Sequence, residues 1–345
     1  MTRRVKVLVA VNVLLFAGFL YFTAWTAIRI DWATVGHSLD GAAPGYELAM
    51  AASWFAILFL RPVRLMVLIG VISPGSPSRY SVFWSATLVA MGLNTIVPLR
   101  AGDIAMALVL NQRLGVRMPR AFSALVLDRF FDLATVVALF VGALSVAPVS
   151  AAWTVGLVPS MLVVLLGLVV GLWLLIYLRA TWLYLVREAL SALAPARRAR
   201  WIGQAEELFN SLARIDKVTV LAKVIVLSIL IWLITTLSYW FGISATWPSA
   251  SLAAAAFTAS AAALVFVVPV TPAGVGVFHG ACVLALSVFD VPFEPALAFA
   301  IVAHALQVIS VLVLAVIALF SQRLSLRTLL ASAEAPVDSG TTDNR

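Results

Sequence analysis

Apolar and polar segments alternate along the chain at a spacing that is typical of membrane-spanning helices. Apolar stretches long enough to span a bilayer occur near residues 5–28, 46–70, 121–147, 155–178, 218–247 and 296–320. A helix needs roughly 20 apolar residues to cross the hydrocarbon core. The strict alternation of single apolar and polar residues that indicates a β-strand is absent from the sequence. The pattern therefore predicts an all-α integral membrane protein, folded as a polytopic helical bundle.

Two further apolar regions, 80–116 and 252–290, are broken in the middle by proline and glycine. The first break reads PLRAGD (98–103), and the second reads PVTPAGVGVFHG (269–280). Hydrocarbon cannot satisfy the backbone groups that such residues free, so a break at membrane depth has to lie within protein or line a cavity. We expect each region to form a re-entrant helical hairpin. The residues expected to form the breaks are Pro98, Gly102, Pro269, Pro272, Gly274 and Gly276.

The distribution of charge orients this bundle. Basic residues concentrate in five segments, 3–6, 61–79, 98–120, 179–217 and 323–327. The turns near 148–154 and 248–251 carry no charge. Because basic connections stay in the cytoplasm, the pattern predicts a multi-pass protein of the cell (inner) membrane with both termini cytoplasmic. The first hairpin then enters the membrane from the cytoplasmic side and the second from outside.

The two halves of the chain share a pattern of their own. Pro98 and Gly102 stand four residues apart, as do Pro272 and Gly276. Further on, GVRMPRA (115–121) parallels DVPFEPA (290–296). The sequence thus predicts two inverted repeats, the arrangement of many transporters, whose sites lie where discontinuous helices meet.

We expect a single transmembrane domain over 1–330 that contains both repeats, at about 46–147 and 218–320. A cytoplasmic amphipathic connection at about 179–217 would join them and lie on the inner membrane surface, with its charges facing solvent and lipid. The small, polar residues 331–345 predict a disordered cytoplasmic tail.

Composition agrees with a membrane protein and excludes a water-soluble one. The chain of 345 residues is 63% hydrophobic and 11% charged, against about 25% charged residues in a soluble domain. Its formal net charge of +8 suits contact with anionic lipid headgroups. Zinc-finger spacing and RNA-binding signatures are absent, so nucleic acid is not an expected partner. Cys282 is the single cysteine, which rules out an intramolecular disulfide.

Candidate binding residues in the first half are charged. Arg100 and Asp103 flank the first break, where a helix N-terminus and a guanidinium together suit a phosphate. An interfacial arginine beside a capping aspartate is the alternative. Asp128, Arg129 and Asp132 lie within an apolar helix, where charged groups face a bundle interior or a cavity. Neutralisation of Arg129 by one aspartate and a role in substrate binding both remain open.

Candidate binding residues in the second half are Thr271, His279 and His304. The register of the repeats aligns His304 with Arg129. A histidine in a helix serves either packing or proton-coupled movement near neutral pH. Two histidines without clustered carboxylates or thiolates do not make a metal site, so we expect no metal and no cofactor. GxSxG, HExxH, P-loop and CxxC motifs are absent, and we expect no enzyme activity and no catalytic residue.

Two long segments, PLRAGDIAMALVLNQRLGVRMPRAFSALVLDRFFDLA and VPVTPAGVGVFHGACVLALSVFDVPFEPALAFAIVAHAL, resemble the signature regions of a known family. This is the lysylphosphatidylglycerol synthase transmembrane family, also called flippase-like domain proteins, and the resemblance extends over roughly 5–320. It implies two helical repeats with re-entrant elements and the movement of lipid between leaflets. The aminoacyl-transferase domain of the full synthases is not expected here.

Besides AGVG (273–276) in place of the commoner GGLG, three positions depart from the family pattern. Asp103 and His279 stand where the family usually has glutamate, and His304 stands where it often has arginine. These differences favour an anionic or neutral glycolipid over a lysyl-type cationic headgroup.

The expected function is that of a flippase or transporter for a lipid or lipid-linked headgroup, such as a phospholipid, glycolipid or isoprenoid lipid. Arg100, Asp103, Asp128 and Arg129 would line a polar cavity, with 269–280 as the opposing gate. The expected partners are membrane lipids and enzymes of envelope-lipid or glycolipid synthesis. A non-transporting scaffold of an envelope-lipid synthesis complex is the alternative, and a membrane-embedded lipid-modifying enzyme comes third.

Overall fold

The computed structural model describes residues 30–97, 101–147, 156–191, 193–216, 218–266 and 271–322, and these residues are predominantly helical and include no strand. Twelve α-helices occur in these ranges: α1 (Trp32–Asp40), α2 (Pro44–Ile72), α3 (Tyr80–Ile96), α4 (Ala101–Leu114), α5 (Met118–Ser145), α6 (Leu157–Tyr177), α7 (Arg179–Ala189), α8 (Pro195–Leu212), α9 (Val218–Thr246), α10 (Leu252–Val265), α11 (Val277–Ser287) and α12 (Phe293–Ser321). The predicted all-α class is confirmed.

Helices α2, α6, α9 and α12 are long and apolar enough to cross a membrane. Helix α5 has 28 residues, but Asp128, Arg129 and Asp132 interrupt its apolar sequence. Five of the six predicted spans therefore coincide with long helices, and the sixth, 5–28, lies outside the described residues. The chain is a multi-pass membrane protein.

Each of the two broken regions forms a pair of short helices, as predicted. Helices α3 and α4 have 17 and 14 residues and pack against each other. Helices α10 and α11 have 14 and 11 residues and also pack together. At about 1.5 Å per residue, each of these helices is shorter than a hydrocarbon core of about 30 Å. Their re-entry into the membrane from opposite sides stays a prediction.

The second break turns through residues with positive φ. It contains a short 3₁₀ turn at Pro272–Gly274, and Ala273, Gly274 and Gly276 have φ of 54°, 75° and 78°. Glycine adopts this left-handed region without a steric penalty, which explains the two glycines. Of the predicted break residues, Pro98 and Pro269 lie outside the described residues.

Gly102 differs from the expectation of a helix-breaking residue, because α4 begins at Ala101 and includes it. Its role is close packing: a Cβ atom at Gly102 would lie 2.0 Å from the Ala90 carbonyl oxygen of α3. The Gly102 N–H also donates to Asn94 Oδ1 at 2.8 Å. Gly102 therefore brings α3 and α4 together at the first break.

The long helices and the hairpins pack in a pattern that repeats between the halves. Helices α2 and α9 pack against each other along the centre. Helix α3 of the first half packs on α12 of the second, and α10 of the second half packs on α5 of the first. If α2, α3, α4 and α5 are exchanged in order for α9, α10, α11 and α12, the same helix contacts result. The inverted orientation of the halves stays a prediction.

The connection between the halves contains α7 and α8. Helix α8 packs on α5, where the Ser123 hydroxyl donates to the Leu208 carbonyl oxygen at 3.0 Å and Leu212 is fully buried. Arg120 Nε donates to Glu207 Oε1 at 2.8 Å. Some charges of this connection thus bind α5 instead of facing solvent and lipid. The predicted tail, 331–345, lies outside the described residues.

Candidate functional site

A cavity of about 380 Å³ lies between the two halves. Volumes of about 300–1,000 Å³ are usual for ligand sites. Its walls come from α2, α3, α5, α9, α10, α12 and residues 271–277. The polar and aromatic side chains that line it are Trp54, Arg61, Asn94, Thr95, Arg129, Asp132, Trp232, Thr235, Tyr239, Phe266, Thr271, His304 and Gln307. Both hairpins and both halves therefore contribute to one site.

One wall of the cavity belongs to a network of ion pairs that joins α2 to α5. Arg64 is fully buried, and its Nε donates to Asp128 Oδ1 at 2.8 Å. Its Nη1 donates to Asp132 Oδ1 at 2.8 Å and to the Ser228 hydroxyl at 3.0 Å. Arg61 Nη1 donates to Asp132 Oδ2 at 3.0 Å. The aspartates of α5 are thus held by two arginines of α2.

Helical spacing explains why these four side chains meet. Arg61 and Arg64 are three residues apart on α2, and Asp128 and Asp132 are four residues apart on α5. Residues with these spacings lie on one face of a helix. Because α2 packs on α5, the basic face meets the acidic one. A buried charge requires such a partner, since an unpaired ion in a low-dielectric interior is strongly unfavourable.

Arg129 pairs with a residue of the first hairpin. Its Nη2 donates to Asp103 Oδ1 at 2.9 Å, and its Nη1 lies 3.9 Å from Asp132 Oδ2. The aspartate that forms a hydrogen bond with Arg129 is thus Asp103 of α4 and not a neighbour on α5. This pair fastens the first hairpin to α5 at the edge of the cavity.

The part of the wall that the second half contributes includes His304, which contacts His279. His304 Nε2 donates to the Ala273 carbonyl oxygen at 2.9 Å, and the His304 ring stacks on Phe278 with centroids 5.0 Å apart. The rings of His279 and His304 meet edge to face at 4.8 Å. His279 Nδ1 accepts from the Gly276 N–H at 3.3 Å. Both histidines therefore hold the backbone of the second break.

The two walls match in position and differ in chemistry. Arg129 and His304, which the register of the repeats aligned, each contact the N-terminal turn of a hairpin helix, through Asp103 and His279 respectively. The first contact is an ion pair and the second is a pair of aromatic rings. Charge is thus confined to one side of the cavity.

The structure brings most of the predicted site residues together. Arg129, Asp132, Thr271 and His304 line the cavity, while Asp103, Asp128 and His279 contact a lining residue or the ion network. Arg100 lies outside the described residues. Among the described residues, no group of three or more histidine, cysteine, aspartate or glutamate side chains is placed to hold a metal ion.

Sequence reasoning missed Arg61 and Arg64, which it assigned to a cytoplasmic connection. The signal that could have found them is the apolar sequence that continues beyond both residues to Ile72, which places the two arginines inside α2 and on one of its faces. It also missed two aromatic donors: Trp232 Nε1 donates to Asp132 Oδ1 at 3.2 Å, and Trp54 Nε1 donates to the Ser310 hydroxyl at 2.9 Å.

Comparison with known proteins gives one match. The model of a family described as "Lysylphosphatidylglycerol synthase TM region" matches residues 6–315. No curated protein and no solved structure matches the chain.

Proposed function

The chain belongs to the lysylphosphatidylglycerol synthase TM region family, and from this premise we propose that it moves a lipid or lipid-linked headgroup between the leaflets of the cell inner membrane. The membrane setting and the lipid-related role follow from the family and the apolar helices. The transport step, the inner membrane and the cytoplasmic placement of both termini belong to the proposal.

One observation carries the proposal: the cavity that both broken hairpins and both halves enclose. Its volume of about 380 Å³ suits a polar headgroup and not the acyl chains of a whole lipid. Arg61, Arg129 and Asp132 offer charge on one side, whereas Trp54 and Tyr239 offer aromatic surface on the other parts of the wall. A headgroup in the cavity would exchange water for these groups while its chains stay in the bilayer.

The packing of the halves suggests how the cavity could open in turn to each side. Helices α2 and α9 form the central contact, and each hairpin packs on the long helix that ends the other half. In transporters built from repeats, one repeat rocks against the other around a site near the midplane. The ion pairs of Arg64 would keep α2 and α5 together during that movement.

Transfer of fluorescent phospholipid or glycolipid between leaflets of vesicles containing the purified protein tests the proposal. We expect Arg129→Gln to slow transfer at least about tenfold, equivalent to about 1.4 kcal/mol. Arg129→Lys, which keeps the charge, should recover part of the rate. Arg200→Gln is the matched control, because Arg200 is exposed on α8.

The alternative function gives a different result. A scaffold of an envelope-lipid synthesis complex would leave the wild-type protein without transfer activity and would co-purify with synthesis enzymes. Equal transfer rates for Arg129→Gln, Arg200→Gln and the wild-type protein would also contradict the proposed role of the cavity.

A further inference from the structure

Asp132 is the most heavily shared carboxylate of the ion network. Its Oδ1 accepts from Arg64 Nη1 and from Trp232 Nε1, at 2.8 and 3.2 Å. Its Oδ2 accepts from Arg61 Nη1 at 3.0 Å and lies 3.9 Å from Arg129 Nη1. The two oxygens thus have different surroundings: Oδ1 faces the buried arginine, and Oδ2 faces two arginines that line the cavity.

The three arginines differ in access. The Arg64 side chain is fully buried, whereas 21% of the Arg61 side chain and 32% of the Arg129 side chain are exposed. Only Arg61 and Arg129 of the three line the cavity. Arg64 therefore serves as the permanent counter-ion of α5, and the other two are the guanidinium groups that a ligand can reach.

Arg129 has donor capacity left toward the cavity. Its Nη2 is committed to Asp103, but the distance of 3.9 Å from its Nη1 to Asp132 Oδ2 exceeds that of a hydrogen bond. Arg61 Nη1 and Arg129 Nη1 thus converge on one carboxylate oxygen that satisfies only one of them fully. An oxyanion with more oxygen atoms could bridge both groups.

We infer that Arg61 and Arg129 form the subsite for the phosphate group of the headgroup, and that Asp132 is the internal anion with which this phosphate competes. The inference rests on the proposed function and deepens it. Carboxylate and phosphate oxygens bind guanidinium groups in the same paired geometry. A phosphate entering the cavity would take the position that Asp132 Oδ2 holds at Arg61 and would satisfy Arg129 Nη1.

The net charge of the network determines how strongly a phosphate competes with Asp132. Arg61, Arg64 and Arg129 face Asp103, Asp128 and Asp132, so these six described charges balance. An added phosphate meets a neutral cluster and is bound weakly enough to leave. Removing the charge of Asp132 leaves one cation in excess and strengthens the hold on a phosphate.

The test measures binding to the purified full chain in detergent, with phosphatidylglycerol in mixed micelles as the lipid probe and inorganic phosphate as the free-ion probe. Asp132→Asn keeps the shape of the side chain, and we expect it to tighten phosphatidylglycerol binding about tenfold. We expect Arg61→Gln to weaken binding about tenfold or more.

Asp128→Asn is the matched control, because Asp128 contacts buried Arg64 and does not line the cavity. It removes the same charge from the network, yet it should change binding much less than Asp132→Asn. If both variants tighten phosphatidylglycerol binding equally, competition by Asp132 is overturned, and a general effect of the removed charge explains the result. Unchanged or weaker binding by folded Asp132→Asn would overturn it as well.

The remaining outcomes separate this inference from the proposed function. If Asp132→Asn does not fold, Arg61→Gln decides, and unchanged binding in that variant overturns the subsite. If the protein binds inorganic phosphate but does not bind phosphatidylglycerol, the assignment of the subsite to a lipid headgroup is overturned. If the variants change binding as expected but the wild-type protein transfers no lipid, only the proposed function is refuted. If the wild-type protein transfers lipid but Asp132→Asn binds as the wild type does, only the inference is refuted.

Discussion

At the scale of single residues, the fully buried Arg64 sets the geometry of the ion network. It binds Asp128 and Asp132, and its Nη1 also donates to the Ser228 hydroxyl of α9. One side chain therefore ties α2 to both α5 and α9. A buried pair of this kind adds little net stability compared with apolar packing, but removing one partner leaves an unpaired buried charge.

We expect Arg64→Met to destabilise the protein by about 3–5 kcal/mol, because buried Asp128 and partly buried Asp132 lose their shared counter-ion. Reversible unfolding in mixed detergent micelles measures this loss. Arg200→Met on the exposed face of α8 is the control and should change stability little. An Arg64→Met protein as stable as wild type would contradict the role of Arg64 as permanent counter-ion.

At the scale of elements, the hairpins decide where the cavity lies. Helices α3 and α4 approach closely at Gly102, and the second hairpin turns through the left-handed residues Ala273, Gly274 and Gly276. Each hairpin contributes polar groups to the cavity: Asn94 and Thr95 from the first and Thr271 from the second. Short paired helices thus deliver polar side chains to the interior of an apolar bundle.

Gly102→Ala should separate α3 from α4, because the added Cβ atom would lie 2.0 Å from the Ala90 carbonyl oxygen, which belongs to the backbone. We expect a lower unfolding midpoint and slower lipid transfer. Gly142→Ala on α5 is the control, since a Cβ atom there has no neighbour within 4 Å. Alanine improves helix propensity by about 1 kcal/mol, so the control should be neutral or stabilising.

Equal unfolding midpoints and equal transfer rates for Gly102→Ala and the wild-type protein would show that the first hairpin tolerates separation. The close approach at Gly102 would then have no part in shaping the cavity.

At the scale of the whole molecule, the four helices α2, α3, α4 and α5 pack in the same pattern as the four helices α9, α10, α11 and α12. Each half thus supplies a hairpin that packs on the last helix of the other half. The formal charges, however, do not exchange, because Asp103 and Arg129 face each other in one half and His279 and His304 in the other. The packing is shared and the chemistry is asymmetric.

The predicted inversion of the halves can be tested by labelling single cysteines in intact cells with a membrane-impermeant maleimide, in a Cys282→Ala background. Ser78, between α2 and α3, and Ser249, between α9 and α10, are both exposed. We expect Ser249→Cys to react from outside and Ser78→Cys only after the membrane is permeabilised.

Ser287→Cys at the end of α11 should react like Ser249→Cys, because a re-entrant hairpin returns to its own side. Labelling of Ser78→Cys and Ser249→Cys from one side would contradict the inverted arrangement. Labelling of Ser249→Cys and Ser287→Cys from opposite sides would contradict re-entry of the second hairpin.

The sequence by itself determined the class of protein and the positions of the long and the broken helices among the described residues. The length of an apolar run and the conformational limits of proline and glycine are local properties, so 80–116 and 252–290 could be recognised as broken helices before any contact was known. The same locality placed Asp128, Arg129 and Asp132 on an interior-facing helix, since a charge amid apolar residues has to find a partner inside the bundle.

Only the tertiary structure decided which charges meet. Arg64 and Asp128 are 64 residues apart in the chain, and Arg129 and Asp103 are 26 apart. Their pairing depends on which faces of α2, α4 and α5 come into contact, and the local sequence of each helix does not specify that contact. For this reason Arg61 and Arg64 resembled ordinary basic residues at a helix end, although Arg61 lines the cavity and Arg64 is the buried centre of the adjoining ion network.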